Sequence, residues 1–153
     1  METAANITNP IITNALLKAL EMAFMGDETN QGWLNGVLFS LEKLSAEDAS
    51  RSISANHVTA AAHADHIRVT LQAVQAWARG GNPQVDWAAS WKIKDLNAVQ
   101  WDDLRASIRA EYENTQELIR SEPGWTEQTL TSAINNISHV AYHASAIRQL
   151  IKN

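Results

Sequence analysis

Apolar residues recur at helical spacing through most of the chain, and they predict four long helices. The first begins at Pro10, directly after a capping asparagine, and its pattern ends at Gly26. The second begins around Ser52 or Ser54 and ends at Arg79, because the following Gly-Gly-Asn-Pro sequence cannot continue a helix. The first half of the chain therefore supplies two of the four helices.

The second half of the chain predicts the other two long helices. Asn97 caps the third, and Thr126 caps the fourth, which continues to the C-terminus. The buried stripe of the third helix is predicted as Trp101, Leu104, Ile108, Tyr112, Thr115 and Ile119, and that of the fourth as Leu130, Ile134, Ile137, Ala141 and Ala144. A shorter helical piece precedes a capping box at residues 45–48. With no strand-like alternation, the pattern predicts an all-α, antiparallel four-helix bundle that forms one domain over residues 1–153.

Composition narrows the kind of partner and the kind of metal site. The 153 residues are 45% hydrophobic, which suits one domain with a core. The net charge of -5 is dispersed, which argues against nucleic acid or a membrane surface as partner and leaves small molecules open. Because the chain has no cysteine, a metal would have to use histidine, carboxylate or water. No signal peptide or membrane-spanning segment is recognisable, which predicts a cytoplasmic protein.

Three histidines form the candidate metal site. His139 and His143 are four residues apart on a predicted helix, so both imidazoles can reach one ion. His63, on the second helix, lies close to the mean direction of that helix's large apolar residues and can be the third ligand if the second and fourth helices are neighbours. Three neutral nitrogens are the ligand number of catalytic zinc sites that keep one position open. The absence of a Glu-x-x-His motif favours a mononuclear site over a di-iron one.

The sequence alone leaves several alternatives open. His66 is either a hydrogen-bond partner of a ligand, an alternative ligand, or simply a partly buried histidine. His139 and His143 lie roughly 100° from the most apolar direction of their helix, so they belong either to a solvated polar face or to a metal site at the edge of the bundle, opening to a cleft. Tryptophans are either core residues or the wall of an apolar pocket; those considered are Trp33, Trp87, Trp91 and Trp101.

These residues give the chain a resemblance to the DinB-like (DinB/YfiT) superfamily of bacterial four-helix bundles. The similar segments are the C-terminal His139-x-x-Tyr142-His143-x-Ser145-x-Ile147-Arg148 pattern, the stretch from His63 to Leu71, and the linker Asp86-Trp87-Ala-Ala-Ser-Trp91 with Trp101-Asp-Asp-Leu104 after it. Many members have glycine and glutamine where this chain has Ser145 and Ala146. That departure leaves subfamily and substrate open.

The resemblance implies a metal-dependent function. By it, His63, His139 and His143 would bind a divalent metal, usually nickel or zinc, and the protein would form a homodimer. The expected activity is that of a thiol-dependent S-transferase or a hydrolase, acting on a small molecule and using a low-molecular-weight thiol in the first case. The rival hypothesis is a non-enzymatic, stress-related binding or interaction bundle whose metal site is vestigial or empty.

Overall fold

The described part of the chain is entirely helical. In this computed structural model the described residues are 10–26, 35–52, 58–92 and 95–151. They form six α-helices and one 3-10 helix, and they contain no β-strand: α1 (Pro10–Met25), α2 (Val37–Glu42), α3 (Ala46–Ser50), α4 (Ala60–Ala78), the 3-10 helix (Ser90–Lys92), α5 (Ala98–Arg120) and α6 (Glu127–Ile151). The predicted all-α class is confirmed.

Helix α4, which carries two of the histidines, begins later than predicted. The Oγ1 atom of Thr59 accepts a hydrogen bond from the backbone N–H of Ala62, and the Thr59 backbone is extended. This cap places the first helical residue at Ala60. Ser52 is not helical, and Ser54 lies outside the described residues, so the prediction of a start at Ser52 is wrong.

Helix α5 agrees closely with its predicted pattern. All six residues of its predicted stripe are buried. Its N-terminus has a complete capping box, in which Asn97 Oδ1 accepts from the Gln100 N–H at 2.9 Å and Gln100 Oε1 accepts from the Asn97 N–H at 3.0 Å. One turn further, the indole N–H of Trp101 donates to the carbonyl of Leu44. These bonds fix the start of α5 against the segment between α2 and α3.

The capping box gives a stability prediction. Replacing Asn97 with alanine leaves the N–H of Gln100 without its side-chain acceptor, and we expect the free energy of unfolding to fall by about 1 kcal/mol. Urea unfolding followed by circular dichroism measures this. Asn14→Ala, at an exposed position within α1, is the matched control and should cost nothing measurable. Equal losses in the two variants would contradict the capping role.

The four long helices pack around one apolar core. Helix α4 contacts α5 and α6, α1 contacts the same two helices, and the 3-10 helix packs on α4. The largest fully buried side chains come from every long helix: Leu20, Phe24, Ile67, Leu71, Trp101, Ile108, Val140 and Ile147. The contact between α4 and α6 is the condition on which the three-histidine hypothesis depends, and it is met. None of the described helices has the length and apolarity needed to cross a membrane.

Helix α6 follows its predicted stripe in part: Ala144 is buried and Leu130, Ile137 and Ala141 pack against the core, but Ile134 does not. Ile134, a member of the predicted stripe, is 48% exposed. The residues that are buried are Asn136, Val140, His143, Ala144 and Ile147. The prediction for Ile134 is wrong because Val140 and Ile147, in the C-terminal half, are the residues that α6 places in the shared core. This orientation turns His143 inward.

Candidate metal centre

Four histidine side chains meet where α4 packs against α6. His63 and His66 come from the first two turns of α4, because the Thr59 cap fixes where that helix starts. His139 and His143 come from α6. The ring centroid of His66 lies 5.2 Å from that of His139 and 5.0 Å from that of His143, and the His63 centroid lies 5.2 Å from that of His143. The structure thus brings together every histidine named as a candidate from the sequence.

The centre of the cluster is His143, which is only 4% exposed. Its Nδ1 atom lies 2.9 Å from Nδ1 of His63, and its Nε2 atom lies 3.0 Å from Nε2 of His139. A neutral imidazole has one N–H and one lone pair, so His143 can donate in only one of these contacts. Two nitrogen ligands at right angles on one ion, each about 2.1 Å from it, are themselves about 3 Å apart. The spacing of the His139 and His143 nitrogens therefore suits a shared cation.

His66 completes a group of three. One possible ligand atom from each of His66, His139 and His143 lies within 4.8 Å of the other two. The Oγ atom of Ser90 lies 3.2 Å from Nδ1 of His66, and this hydroxyl donates its own proton to the Trp87 carbonyl. With the hydroxyl in this orientation Ser90 accepts from His66, and the His66 proton is then on Nδ1 and the lone pair on Nε2. This is the tautomer of a ligand that binds through Nε2.

His63 has a different position in the cluster. It is not in the group of three, although its Nδ1 atom contacts His143 directly. The ligand set His63, His139 and His143 remains a prediction. The geometry adds a second possible ligand set, in which His66 replaces His63. Asp65, one residue before His66, is buried in an ion pair with Arg68 at 2.6 Å.

Burial keeps the cluster neutral. Loss of hydration is the largest cause that lowers the pKa of His143 to about 3, and the charged forms of His139, His63 and His66 act in the same direction. Burial likewise lowers the pKa values of His63 and His139. For His66, burial is the largest cause of a lowered pKa, and the Asp65 carboxylate opposes it. At neutral pH the imidazoles are thus uncharged, which is the form that binds metal.

Two tryptophans of the predicted connection lie beside the histidines. The Trp91 ring stacks on His66 with centroids 4.2 Å apart and meets His63 edge-on at 5.5 Å. The Trp87 centroid lies 6.2 Å from that of His66 and 6.2 Å from that of Trp77. Trp87 and Trp91 form an aromatic cover over the site, whereas Trp101 belongs to the core and Trp33 lies outside the described residues. The core role considered for the tryptophans is therefore confirmed for Trp101, whereas Trp87 and Trp91 contact the histidine rings.

A cleft of about 850 Å³ reaches the cluster at His139. It runs between α4 and α6, and Thr70, Trp77 and Asn136 contribute to its wall. The position of His139 agrees with the expected metal site at the edge of the bundle, open to a cleft. His143 is more deeply buried than that expectation implies. Nδ1 of His139 is buried with no hydrogen-bond partner among the described residues. A buried nitrogen of this kind is a position where an ion, water or ligand is expected.

Sequence reasoning missed one residue of this site, Ser90. Its role depends on the segment after Gly80 folding back onto α4, and no spacing in the sequence indicates that. Comparison of the chain with protein-family models, with curated proteins and with solved structures gives no match.

Proposed function

We propose that the chain binds a divalent metal ion through His66, His139 and His143. The observation that carries this proposal is the group of three ligand atoms within 4.8 Å of one another, supplied by two helices and kept neutral by burial. With only nitrogen ligands, nickel and zinc are the favoured ions. Three protein ligands leave a position for water or substrate, as in catalytic sites.

The remaining residues of the cluster orient the ligands. When His143 binds through Nε2, its Nδ1–H donates to Nδ1 of His63, and Ser90 holds His66 in the matching tautomer. Trp91 covers the rings of His63 and His66 and limits the access of water. A bound divalent ion would supply one kind of chemistry here, the lowering of the pKa of a water or thiol to give a nucleophile at neutral pH.

The proposed protein class is a DinB-like four-helix bundle made of the four long helices. The support is the order of the histidines along the chain, their placement on α4 and α6, and the all-helical fold. The proposed activity is thiol-dependent S-transfer or hydrolysis on a small molecule in the cleft beside His139. A cytoplasmic homodimer remains part of this proposal.

The alternative is a non-enzymatic binding or interaction bundle. It is favoured by a second arrangement of protons in the same cluster, in which His63 donates to His143 and His143 donates to His139. Three neutral imidazoles then form a hydrogen-bonded chain without any ion. That chain places a proton on Nε2 of His143, so it and metal binding through that atom exclude one another.

Elemental analysis and calorimetry distinguish the two functions. We expect protein purified without an affinity tag to hold one nickel or zinc per chain, and chelator-treated protein to take up one equivalent on titration. Consumption of a thiol in the presence of an electrophile panel should then require the metal. Substoichiometric metal and no change in thermal stability on adding zinc or nickel would exclude the metal-dependent function.

A further inference from the structure

The cleft beside His139 lies next to a second, more enclosed cavity. That cavity has a volume of about 400 Å³ and lies between α4, α5 and α6. The residues that border both spaces are Val74, Trp77, Gln128, Ser132 and Asn136. Ile119, Trp125 and Ile137 border only the second cavity and make its wall largely apolar. An elongated molecule that occupied both spaces would place a polar end near His139 and an apolar end beyond Asn136.

Three buried polar atoms in the cleft wall lack a partner among the described residues. They are Oγ1 of Thr70, Oδ1 of Asn136 and Nδ1 of His139. Asn136 is only 8% exposed, and an unpaired buried carbonyl oxygen costs on the order of 1–3 kcal/mol. When His139 binds metal through Nε2, its Nδ1 carries a proton. The wall then holds a donor, an acceptor and a hydroxyl, which a ligand would reach through rotation of these side chains.

The side chains of the wall offer no positive charge to an anionic ligand. Among the described residues that border the two spaces there is no lysine or arginine, and the only charged ones are Glu127 in the cleft and Glu122 in the second cavity. In the metal-free protein, a carboxylate ligand would lose hydration without gaining a cationic partner. The indole of Trp77, 47% exposed, offers an uncharged surface at the border of both spaces. A neutral polar group is the best match.

We propose that this cleft binds a neutral molecule in which a carboxamide, or an equivalent adjacent donor and acceptor, is joined to an apolar chain. The donor would pair with Oδ1 of Asn136, and the acceptor with Nδ1–H of His139 or the hydroxyl of Thr70. The chain would enter the cavity beyond Asn136. The inference rests on the proposed function in taking this cleft as the substrate approach to the metal site.

The test uses three probes of equal chain length: hexanamide, hexanoate and hexylamine. Binding to chelator-treated protein is measured by ligand-observed NMR at fixed ionic strength, so that no metal contributes. We expect hexanamide to bind about tenfold more tightly than hexanoate. It should also bind more tightly than hexylamine, because an ammonium group has no acceptor for Nδ1–H of His139 or the hydroxyl of Thr70. Asn136→Leu should weaken the binding of hexanamide about tenfold and leave the binding of hexanoate unchanged. Equal binding of hexanamide and hexanoate, or a preference for hexanoate, would overturn the proposal.

Matched variants keep the result interpretable. Thr70→Val removes a hydroxyl at nearly constant volume and should weaken the binding of hexanamide severalfold. The control Asn14→Leu, at an exposed position of α1, should leave hexanamide binding unchanged. Because Asn136→Leu removes an unpaired buried oxygen, its melting temperature should not fall. Uptake of zinc is measured on the same samples. If the protein takes up zinc but shows no preference for hexanamide, only the proposal about the ligand of the cleft is refuted. If it prefers hexanamide but takes up no zinc, only the proposed metal-dependent function is refuted.

Discussion

Replacing His143 with alanine is expected to abolish stoichiometric metal binding. His143 is the most buried histidine of the cluster, and its nitrogens contact both His63 and His139. It belongs both to the ligand set predicted from the sequence, with His63 and His139, and to the set that the geometry adds, with His66 and His139. Loss of one of three protein ligands should weaken zinc or nickel by at least about a hundredfold, measured by calorimetric titration or by competition with a chromophoric chelator.

The same titration decides between His63 and His66 as the third ligand. If His66 binds the ion, His66→Ala should match His143→Ala, while His63→Ala should cost about tenfold because it removes only the hydrogen-bond partner of His143. The opposite order would establish the set predicted from the sequence. Quenching of tryptophan fluorescence offers a second readout, since Trp91 stacks on His66.

A control variant separates ligand loss from general damage to α6. Ser145→Ala changes an exposed position two residues from His143 and should leave zinc affinity and melting temperature unchanged. If Ser145→Ala weakens zinc as much as His143→Ala, the effect arises from the helix and not from the imidazole. Retention of one zinc per chain by His143→Ala would refute a site centred on this residue.

Much of the helical framework follows from the sequence because local signals dominate there. The stripe on α5 is regular, and Asn97 supplies a capping side chain, so both the start of the helix and its buried face are predictable. The start of α4 is predicted too early because several serines and Thr59 can each serve as a cap. Only the packed structure shows that Thr59 is the one used.

The site is predictable in its members and not in its geometry. The spacing of four residues predicts that His139 and His143 lie on the same side of α6. A buried stripe that includes Ile134 would turn this histidine side away from the core, but Ile134 is exposed in the structure. Val140 and Ile147 decide the orientation through long-range packing, which periodicity alone does not contain. The grouping of His66 with His139 and His143 depends likewise on how α4 packs against α6.

Acid should destabilise the metal-free protein through His143. In the unfolded chain this residue has its ordinary pKa of 6.5, and in the folded chain its pKa is lowered to about 3. Between these values the unfolded state binds more protons, so the stability present in full above pH 6.5 is lost as the pH falls toward 3. The loss is at most about 1.4 kcal/mol per pH unit for one group, and water near the partly exposed histidine neighbours reduces it.

A variant that cannot titrate isolates this effect from the carboxylates. His143→Gln keeps a polar side chain that is uncharged at every pH, so its stability should fall less than that of the original protein as the pH falls from 6.5 toward 3. We expect the two unfolding free energies, measured with urea in the presence of a chelator, to converge on acidification by about 1–2 kcal/mol. Parallel curves would show that folded His143 takes up its proton near pH 6.5. Protons and metal compete for the same histidine lone pairs. Added zinc should therefore restore the stability of the original protein at about pH 6 and should not restore that of His143→Gln.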